Sequence, residues 1–242
     1  MNGNNLSINV VHTPGYGYAL TDNATLVEQL NYIADNYPVD VNVLINGNST
    51  DNKDLCLSSV IQINQLDKRL KLGLARYELS KMTTTKWYMQ IDEDDEFFSV
   101  DSWLPTLLKD LPEIGTATAF YRFQRYSDKE IFPNQFDHAL YLARKKKVVD
   151  CFTDLFPSSG TLYNKELLGD FPRPNINFAE DNLTFFYLCR HHHFTTYVPL
   201  LITNYRDDHS VMSKVDDDDP YSAGIDHMNM FCKMNCVKSL SL

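Results

Sequence analysis

The pattern with the clearest chemical meaning is a run of four carboxylates, Asp92-Glu93-Asp94-Asp95, which directly follows the apolar segment Trp87–Ile91. A short apolar run of this kind predicts a buried strand, so the acids occupy the turn at its carboxyl end. Carboxylates crowded together repel one another and either take up protons or bind a cation. Oxygen ligands suit magnesium or manganese, which bind the phosphates of substrates. The run predicts a divalent-metal site, and an acidic surface loop is the alternative.

The segments before this turn alternate between strands and helices. Short apolar runs predict strands over residues 8–12, 39–45, 60–63 and 87–91. Apolar residues at helical spacing predict one helix that has Thr21-Asp22 as its N-cap and ends at Pro38, and another over residues 66–79. This alternation predicts an α/β fold with a mostly parallel mixed sheet flanked by helices. Such sheets bind ligands at the carboxyl ends of their strands, where the acidic turn lies.

The second half of the chain is less regular. Its apolar patterns predict helices over residues 100–111 and 181–189, and strands over residues 117–124 and 195–202. Pro199 falls within or at the edge of the last strand.

Composition narrows the class of protein. The formal net charge of −10 repels phosphate backbones and disfavours nonspecific nucleic-acid binding. Five widely spread cysteines are an odd number, which favours reduced thiols in a cytosolic setting. Cys232 and Cys236 are interpreted as ordinary thiols, with a zinc site as the alternative. The first residues lack the pattern of a signal peptide, and no apolar run reaches the ~20 residues of a membrane helix. A soluble, cytoplasmic protein is expected.

Two blocks of the first half resemble a known family. Residues 73–77, Gly-Leu-Ala-Arg-Tyr, precede the acidic run by the spacing seen in glycosyltransferase family 2, whose members often carry "GLxxARNxGIxxAxGEYIxFLDADD". Residues 43–51 resemble the "IIVVDDGSTD" segment of the same family, with Asn46 and Gly47 where two acids are usual. One of those acids often reads the nucleotide base, so the sequence leaves the base open.

Two further blocks lie downstream. Residues 178–186, which contain Glu180-Asp181, are similar to the family's "xxEDWxFxxR" block. Residues 197–199 and 205–213 resemble its "YVPxPLYxYRxHxxSxS" tail. The four blocks follow in the family's order over residues 8 to about 214.

The resemblance implies the GT-A fold, a Rossmann-like α/β architecture, in a single domain over residues 1–242. Residues 1–100 would form its nucleotide-sugar-binding half and residues 101–214 its acceptor-binding half, followed by a C-terminal tail or helix over residues 215–242. The implied reaction moves a sugar from a nucleoside-diphosphate sugar, with a UDP-sugar favoured, to an acceptor hydroxyl with inversion.

The resemblance also implies roles for individual residues. Asp94 would be the principal ligand of Mn²⁺ or Mg²⁺, with Asp92 on the ribose or the metal and Asp95 as a further ligand. Asp181 would be the general base, with Glu180 as its orienter. The nucleotide-sugar would contact Pro14, Asn46, Arg76, Asp92, Arg206 and His209.

Alternatives remain open at this point. A nucleotidyltransferase usually shows a basic, Gly-rich loop after its first strand, and Pro14-Gly15-Tyr16-Gly17-Tyr18 has glycines but no basic residue. A non-catalytic sugar-nucleotide-binding relative is the third candidate. Glu180 and Asp181 could instead serve a helix N-terminus, and Arg206 and His209 could be surface residues. The acceptor could be a glycan, a polyol-phosphate polymer, a protein or, against the acidic charge, a hydroxylated DNA base.

Overall fold

The computed structural model describes residues 4–15, 19–48, 55–111, 118–125, 159–168 and 195–205. The strands are β1 (Leu6–His12), β2 (Asp40–Ile45), β3 (Gln62–Gln65), β4 (Trp87–Ile91), β5 (Glu96–Phe97), β6 (Thr118–Arg125), β7 (Thr161–Asn164) and β8 (Thr195–Tyr205). The helices are α1 (Ala24–Asn36), α2 (Leu72–Met82), α3 (Val100–Asp110) and the single turn α4 (Lys165–Leu168), and a 3₁₀ turn at Leu20–Asp22 precedes α1.

The strands form one mixed sheet in the order β3-β2-β1-β4-β7-β6-β8-β5. Neighbours among β3, β2, β1 and β4 are parallel, and β7 pairs antiparallel with both β4 and β6. β6 is parallel to β8, and the short β5 is antiparallel to β8. The predicted α/β class with a mostly parallel mixed sheet flanked by helices is confirmed.

The central strands are buried on both faces, as parallel strands covered by helices must be. On one face, alternate residues of β1 such as Ile8 join a core with Leu30 of α1 and Leu104 of α3. On the other face, Val11 packs against Ala75 of α2. Truncating a fully buried leucine such as Leu30 to alanine costs about 2–5 kcal/mol in such a core. The strand ends are therefore rigidly placed.

A line of buried polar side chains fixes the end of α2 on the sheet. The Nδ2 group of Asn9 donates to Thr83 Oγ1 at 2.8 Å, and that hydroxyl donates to the Leu79 carbonyl at 3.1 Å. Nδ2 of Asn42 donates in turn to Asn9 Oδ1 at 2.9 Å. Because buried polar groups must be paired, these bonds set the register of α2 on β1 and β2.

Several predicted boundaries are wrong. The helix predicted over residues 66–79 begins only at Leu72, because the preceding segment is held by hydrogen bonds to Asn46 described below. The third strand spans Gln62–Gln65 rather than residues 60–63, since pairing with β2 sets an edge strand, and Ile63 is half exposed. The helix predicted over residues 181–189 lies outside the described residues.

The last strand is longer than predicted and accommodates its proline. β8 runs over Thr195–Tyr205, and its pairing with β6 jumps from Val198 to Leu201 across an irregularity. Pro199 falls inside this irregularity, where a strand loses no ladder hydrogen bond by lacking an N–H group.

Candidate functional site

The acidic run forms a tight turn at the carboxyl end of β4. The amide of Asp95 donates to the Asp92 carbonyl at 3.1 Å, which closes the turn. Ligand oxygens of Asp92, Asp94 and Asp95 lie within 4.8 Å of one another, with Asp95 buried and the other two half-buried. The predicted meeting of these three carboxylates is therefore present in the fold. An all-oxygen set of this kind matches the preference of magnesium or manganese.

The electrostatics of the turn also favour a cation. Burial raises the pKa of Asp94 from 3.8 to about 7, and the negative charges of Asp92 and Glu93 act in the same direction. Arg76 lowers the same pKa without compensating for the burial. Repulsion from Asp92 and Glu93 is a part of this shift, and a divalent cation would relieve that repulsion.

Arg76 reaches the turn from the middle of α2. Its side chain is buried, and its guanidinium donates to Asp92 Oδ1 in an ion pair. The family resemblance assigns Arg76 to the nucleotide-sugar donor, and that assignment stays a prediction. What is observed is that Arg76 orients one of the three converging carboxylates.

Glu93 is not among the three converging carboxylates. Its Oε2 atom accepts from His12 Nδ1 at 2.8 Å and from the Leu20 amide at 2.9 Å. The Thr13 amide donates to Oε1 at 3.1 Å and lies 3.3 Å from Oε2. Because this carboxylate accepts from two backbone N–H groups, the hydrogen of the His12 bond belongs on Nδ1. Glu93 thus joins the acidic turn to the loop after β1.

Asn23 holds the same turn from the opposite side. Its Nδ2 group donates to the carbonyls of Glu93 at 3.1 Å and Asp95 at 2.9 Å, while its Oδ1 accepts from the Leu26 amide at 3.1 Å. Asn23 is therefore the N-cap of α1, and the N-cap predicted at Thr21-Asp22 is wrong. One buried side chain serves both the helix start and the acidic turn.

Sequence reasoning counted Glu93 among the acids of the metal-site run and missed its separate role, and it also missed His12 and Asn23. For Glu93 a signal was present, since the family motif has a small residue between its two aspartates and this chain has a carboxylate. A carboxylate in place of a small residue needs hydrogen-bond donors or a positive charge nearby when the fold buries it. The sequence offered no comparable sign for His12 or Asn23.

The third side of the turn is formed by the residues before β7. Ser159 Oγ accepts from the Asp92 amide at 3.2 Å, and the Gly160 amide donates to the Gln90 carbonyl at 2.7 Å. Gly160 has a φ of +76°, and an added Cβ would lie 3.0 Å from a methyl carbon of Thr203. A glycine is therefore required where this segment approaches β8.

Pro14 and Asn46 follow the ends of β1 and β2, and β1 lies between β2 and β4 in the sheet. The Asn46 amide group pairs with the Leu70 backbone, its Nδ2 donating to the carbonyl at 2.9 Å and its Oδ1 accepting from the N–H at 2.8 Å. The Asn46 backbone N–H donates to the His12 carbonyl at 2.7 Å, so a nucleotide contact would use the remaining hydrogen-bonding capacity of the side-chain amide or the backbone carbonyl. The predicted binding roles of Pro14 and Asn46 stay predictions.

Four predicted site residues fall outside the described part of the chain. These are the proposed base and its neighbour, and the two basic residues assigned to the donor: Asp181, Glu180, Arg206 and His209. Cys232 and Cys236 lie outside it as well. In the segments that the structure describes, no helix has the length and apolar character needed to cross a membrane.

Comparison with solved structures defines the architecture. S. aureus TarS 1–349 in complex with UDP-GlcNAc superposes with a TM-score of 0.59 at 17% identity, over 87% of this chain and 61% of that one. The fold is the GT-A fold. A longer S. aureus TarS chain matches the same GT-A fold with a TM-score of 0.57 at 16% identity, over 86% of this chain and 38% of that one. This chain thus spans less than two thirds of the TarS chains that it matches.

A mycobacterial protein also superposes, with a TM-score of 0.57 at 15% identity, over 85% of this chain and 68% of that one. No protein-family model matches the sequence, and no protein of curated function matches it. The likeness to solved structures therefore establishes the fold, and the activity has to be argued from the site.

Proposed function

We propose that this protein is a metal-dependent, inverting glycosyltransferase that uses a nucleoside-diphosphate sugar, with a UDP-sugar favoured. The observation that carries the proposal is the convergence of Asp92, Asp94 and Asp95 at the carboxyl end of β4 within a GT-A fold. The complexes of TarS 1–349 with UDP-GlcNAc and with UDP support a nucleotide-sugar as the ligand of this architecture. The end of β4 adjoins the end of β1, and sheets of this kind bind ligands at the carboxyl ends of their strands.

The residues of the turn fit a divalent ion, either Mn²⁺ or Mg²⁺. Asp94 and Asp95 would be its ligands, and Asp92 would share its oxygens between the ion and Arg76. The raised pKa of Asp94 supports this assignment, because the carboxyl needs a positive partner to stay ionised at neutral pH. When bound, such an ion supplies Lewis-acid stabilisation of the departing diphosphate.

The remaining roles belong to this chain's own side chains. Pro14, Asn46 and Arg76 would line the donor site at the ends of β1 and β2 and on α2, and Arg206 and His209 would add positive charge beside the phosphates. Since its bonds to Leu70 orient the amide of Asn46, base recognition through Asn46 would use the second lone pair or second hydrogen of that amide.

The proposed transfer step needs one general base. Asp181 would accept the proton of the acceptor hydroxyl while the hydroxyl oxygen attacks the anomeric carbon, and Glu180 would orient Asp181. The bond between that carbon and the diphosphate oxygen breaks with its electron pair going to the diphosphate. A single displacement of this kind inverts the anomeric centre. The cytoplasm would be its setting, in keeping with the unpaired thiol of Cys56.

The test is to incubate the protein with Mn²⁺ and a panel of nucleotide-sugars without an acceptor. Slow hydrolysis of one donor, abolished by Asp94→Ala and unaffected by the matched surface change Glu78→Gln, is the expected result. Exchange of pyrophosphate into the nucleotide-sugar would favour a nucleotidyltransferase instead. Donor binding without any turnover, also with candidate acceptor hydroxyls present, would indicate a non-catalytic sugar-nucleotide-binding protein.

A further inference from the structure

Glu93 holds both ends of one loop. Its carboxylate accepts from the amide of Thr13, directly after β1, and from the amide of Leu20, where the chain enters the turn before α1. Pro14, which is assigned above to the donor, directly follows Thr13. A single side chain therefore anchors the backbone both at Thr13 and at Leu20.

The same residue lies inside the acidic turn. Its neighbours in the chain, Asp92 and Asp94, are two of the three converging carboxylates, and its own carbonyl is held by Asn23. Three donors hold the Glu93 carboxylate, so a displacement of the turn backbone acts on its contacts with Thr13 and Leu20. The metal turn is thus mechanically joined to the backbone at Thr13 and Leu20.

We propose that Glu93 is a positioning residue that couples occupancy of the metal turn to the backbone at Thr13 and Leu20, and so to the affinity for the donor nucleotide. The inference rests on the proposed function and goes beyond it by naming how the two subsites communicate. Without a cation, repulsion among Asp92, Asp94 and Asp95 works against the compact turn. A cation removes that repulsion, steadies the turn and, through Glu93, steadies the backbone at Thr13 and Leu20.

The side chain of His12 restricts this contact further. It is fully buried, and its Nδ1 donates to Glu93 while its Nε2 lies without a hydrogen-bond partner in the described part of the chain. Glu93 therefore meets three donors, two from the backbone and one from His12. A glutamine at this position keeps the shape but loses the negative charge, so Glu93→Gln replaces charge-assisted hydrogen bonds with weaker neutral ones.

The experiment is a linkage cycle on the full chain, with UDP and Mn²⁺ as the probes. The Kd of UDP is measured with Mn²⁺ and with EDTA for the wild type, for Glu93→Gln and for the matched control Glu78→Gln. We expect Mn²⁺ to strengthen UDP binding in the wild type and control, and Glu93→Gln to reduce that factor by about fivefold or more. The Kd of Mn²⁺ measured without nucleotide should change by no more than about twofold, because the three aspartates remain.

A measurement on the wild type keeps the inference testable if Glu93→Gln does not fold. Hydrogen exchange measured without nucleotide should show that Mn²⁺ slows exchange at the backbone amides of Thr13 and Leu20. Equal enhancement of UDP binding by Mn²⁺ in Glu93→Gln and wild type, or unchanged exchange at those amides, would overturn the coupling while leaving the proposed function intact. If the wild type binds neither UDP nor a UDP-sugar, the proposed function fails and the inference falls with it.

Discussion

The guanidinium of Arg76 donates to Oδ1 of Asp92, a residue 16 positions later in the chain. The contact joins the middle of α2 to the carboxyl end of β4 and brings a buried cation to the acidic turn. It leaves Asp94 without a comparable ion pair, which is why burial and neighbouring charge dominate the pKa of Asp94. Asp92 is therefore the oriented carboxylate of the turn and Asp94 the one that gains most from a cation.

Removing the arginine should make the protein depend on metal. In Arg76→Ala the carboxylate of Asp92 loses its charged partner. We therefore expect the free energy of unfolding at pH 8 without metal to fall by about 1–3 kcal/mol. Mn²⁺ should recover part of the loss, because it supplies the missing positive charge. Denaturant unfolding with and without Mn²⁺ measures both effects, and Arg69→Ala, on the exposed segment before α2, is the control. An unchanged midpoint in Arg76→Ala would contradict the importance of this ion pair.

Metal binding should weaken as the pH falls through about 7. A cation must displace the proton that Asp94 holds near this pH, so the apparent affinity for Mn²⁺ should drop by up to about tenfold per pH unit below it. Calorimetric titration between pH 6 and 8 measures the change and the protons released. A pH-independent affinity would mean that Asp94 is not a ligand.

The raised pKa of Asp94 also predicts how the stability of the metal-free protein changes with pH. The pKa of Asp94 is about 7 in the fold and 3.8 for the free side chain, so the folded state binds the proton more tightly. The contribution is fully present below pH 3.8 and is lost as the pH rises through 7. Thermal unfolding without metal should show the wild type losing stability from pH 6 to 8 relative to Asp94→Asn. Parallel curves for the two proteins would refute the raised pKa.

Substituting the proposed base should abolish sugar transfer without weakening donor binding. Asp181→Asn should bind donor and Mn²⁺ normally while the transfer rate falls by about 10²–10⁴-fold, because the amide cannot accept the proton of the acceptor hydroxyl. Binding by calorimetry and single-turnover transfer measure the two effects separately. Sugar transfer at the normal rate by Asp181→Asn would show that Asp181 is not the general base. Glu180→Gln is the companion variant that tests the neighbouring residue.

Asn23 should connect helix capping to the metal turn. Asn23→Ala removes the N-cap of α1 and both amide bonds to the turn carbonyls, so we expect a loss of about 1–2 kcal/mol in stability. The change should also weaken Mn²⁺ binding, whereas Asn36→Ala at the other end of α1 should leave it unchanged. If Asn23→Ala loses stability but binds Mn²⁺ as the wild type does, the turn does not need this support.

Much of the architecture could be predicted from local patterns. The runs at β1, β2 and β4 are apolar because parallel strands are buried on both faces, so their existence follows from composition alone. The edge strand β3 could not be located in this way. Its residues are mostly exposed, and its position follows from backbone pairing with β2.

The start of α2 shows why local patterns fail at boundaries. Leu66 and Leu70 continue the apolar spacing of the helix, and both pack against its core cluster. The Leu70 backbone is nevertheless bonded to the side chain of Asn46, so it is committed to a partner outside the helix. Periodicity reports which side chains are buried, and it does not report where a backbone group finds its partner.

The sequence alone determined the alternation of strands and helices and the position of Asp92, Asp94 and Asp95 after a buried strand, because both depend on residues near one another in the chain. Tertiary structure decided which carboxylates converge, and it set Glu93 apart from them by placing its side chain against His12, Thr13 and Leu20. A charged group settles where the fold supplies opposite charge or hydrogen-bond donors. Those donors lie more than 70 residues away in the chain and meet Glu93 only when the sheet pairs β1 with β4.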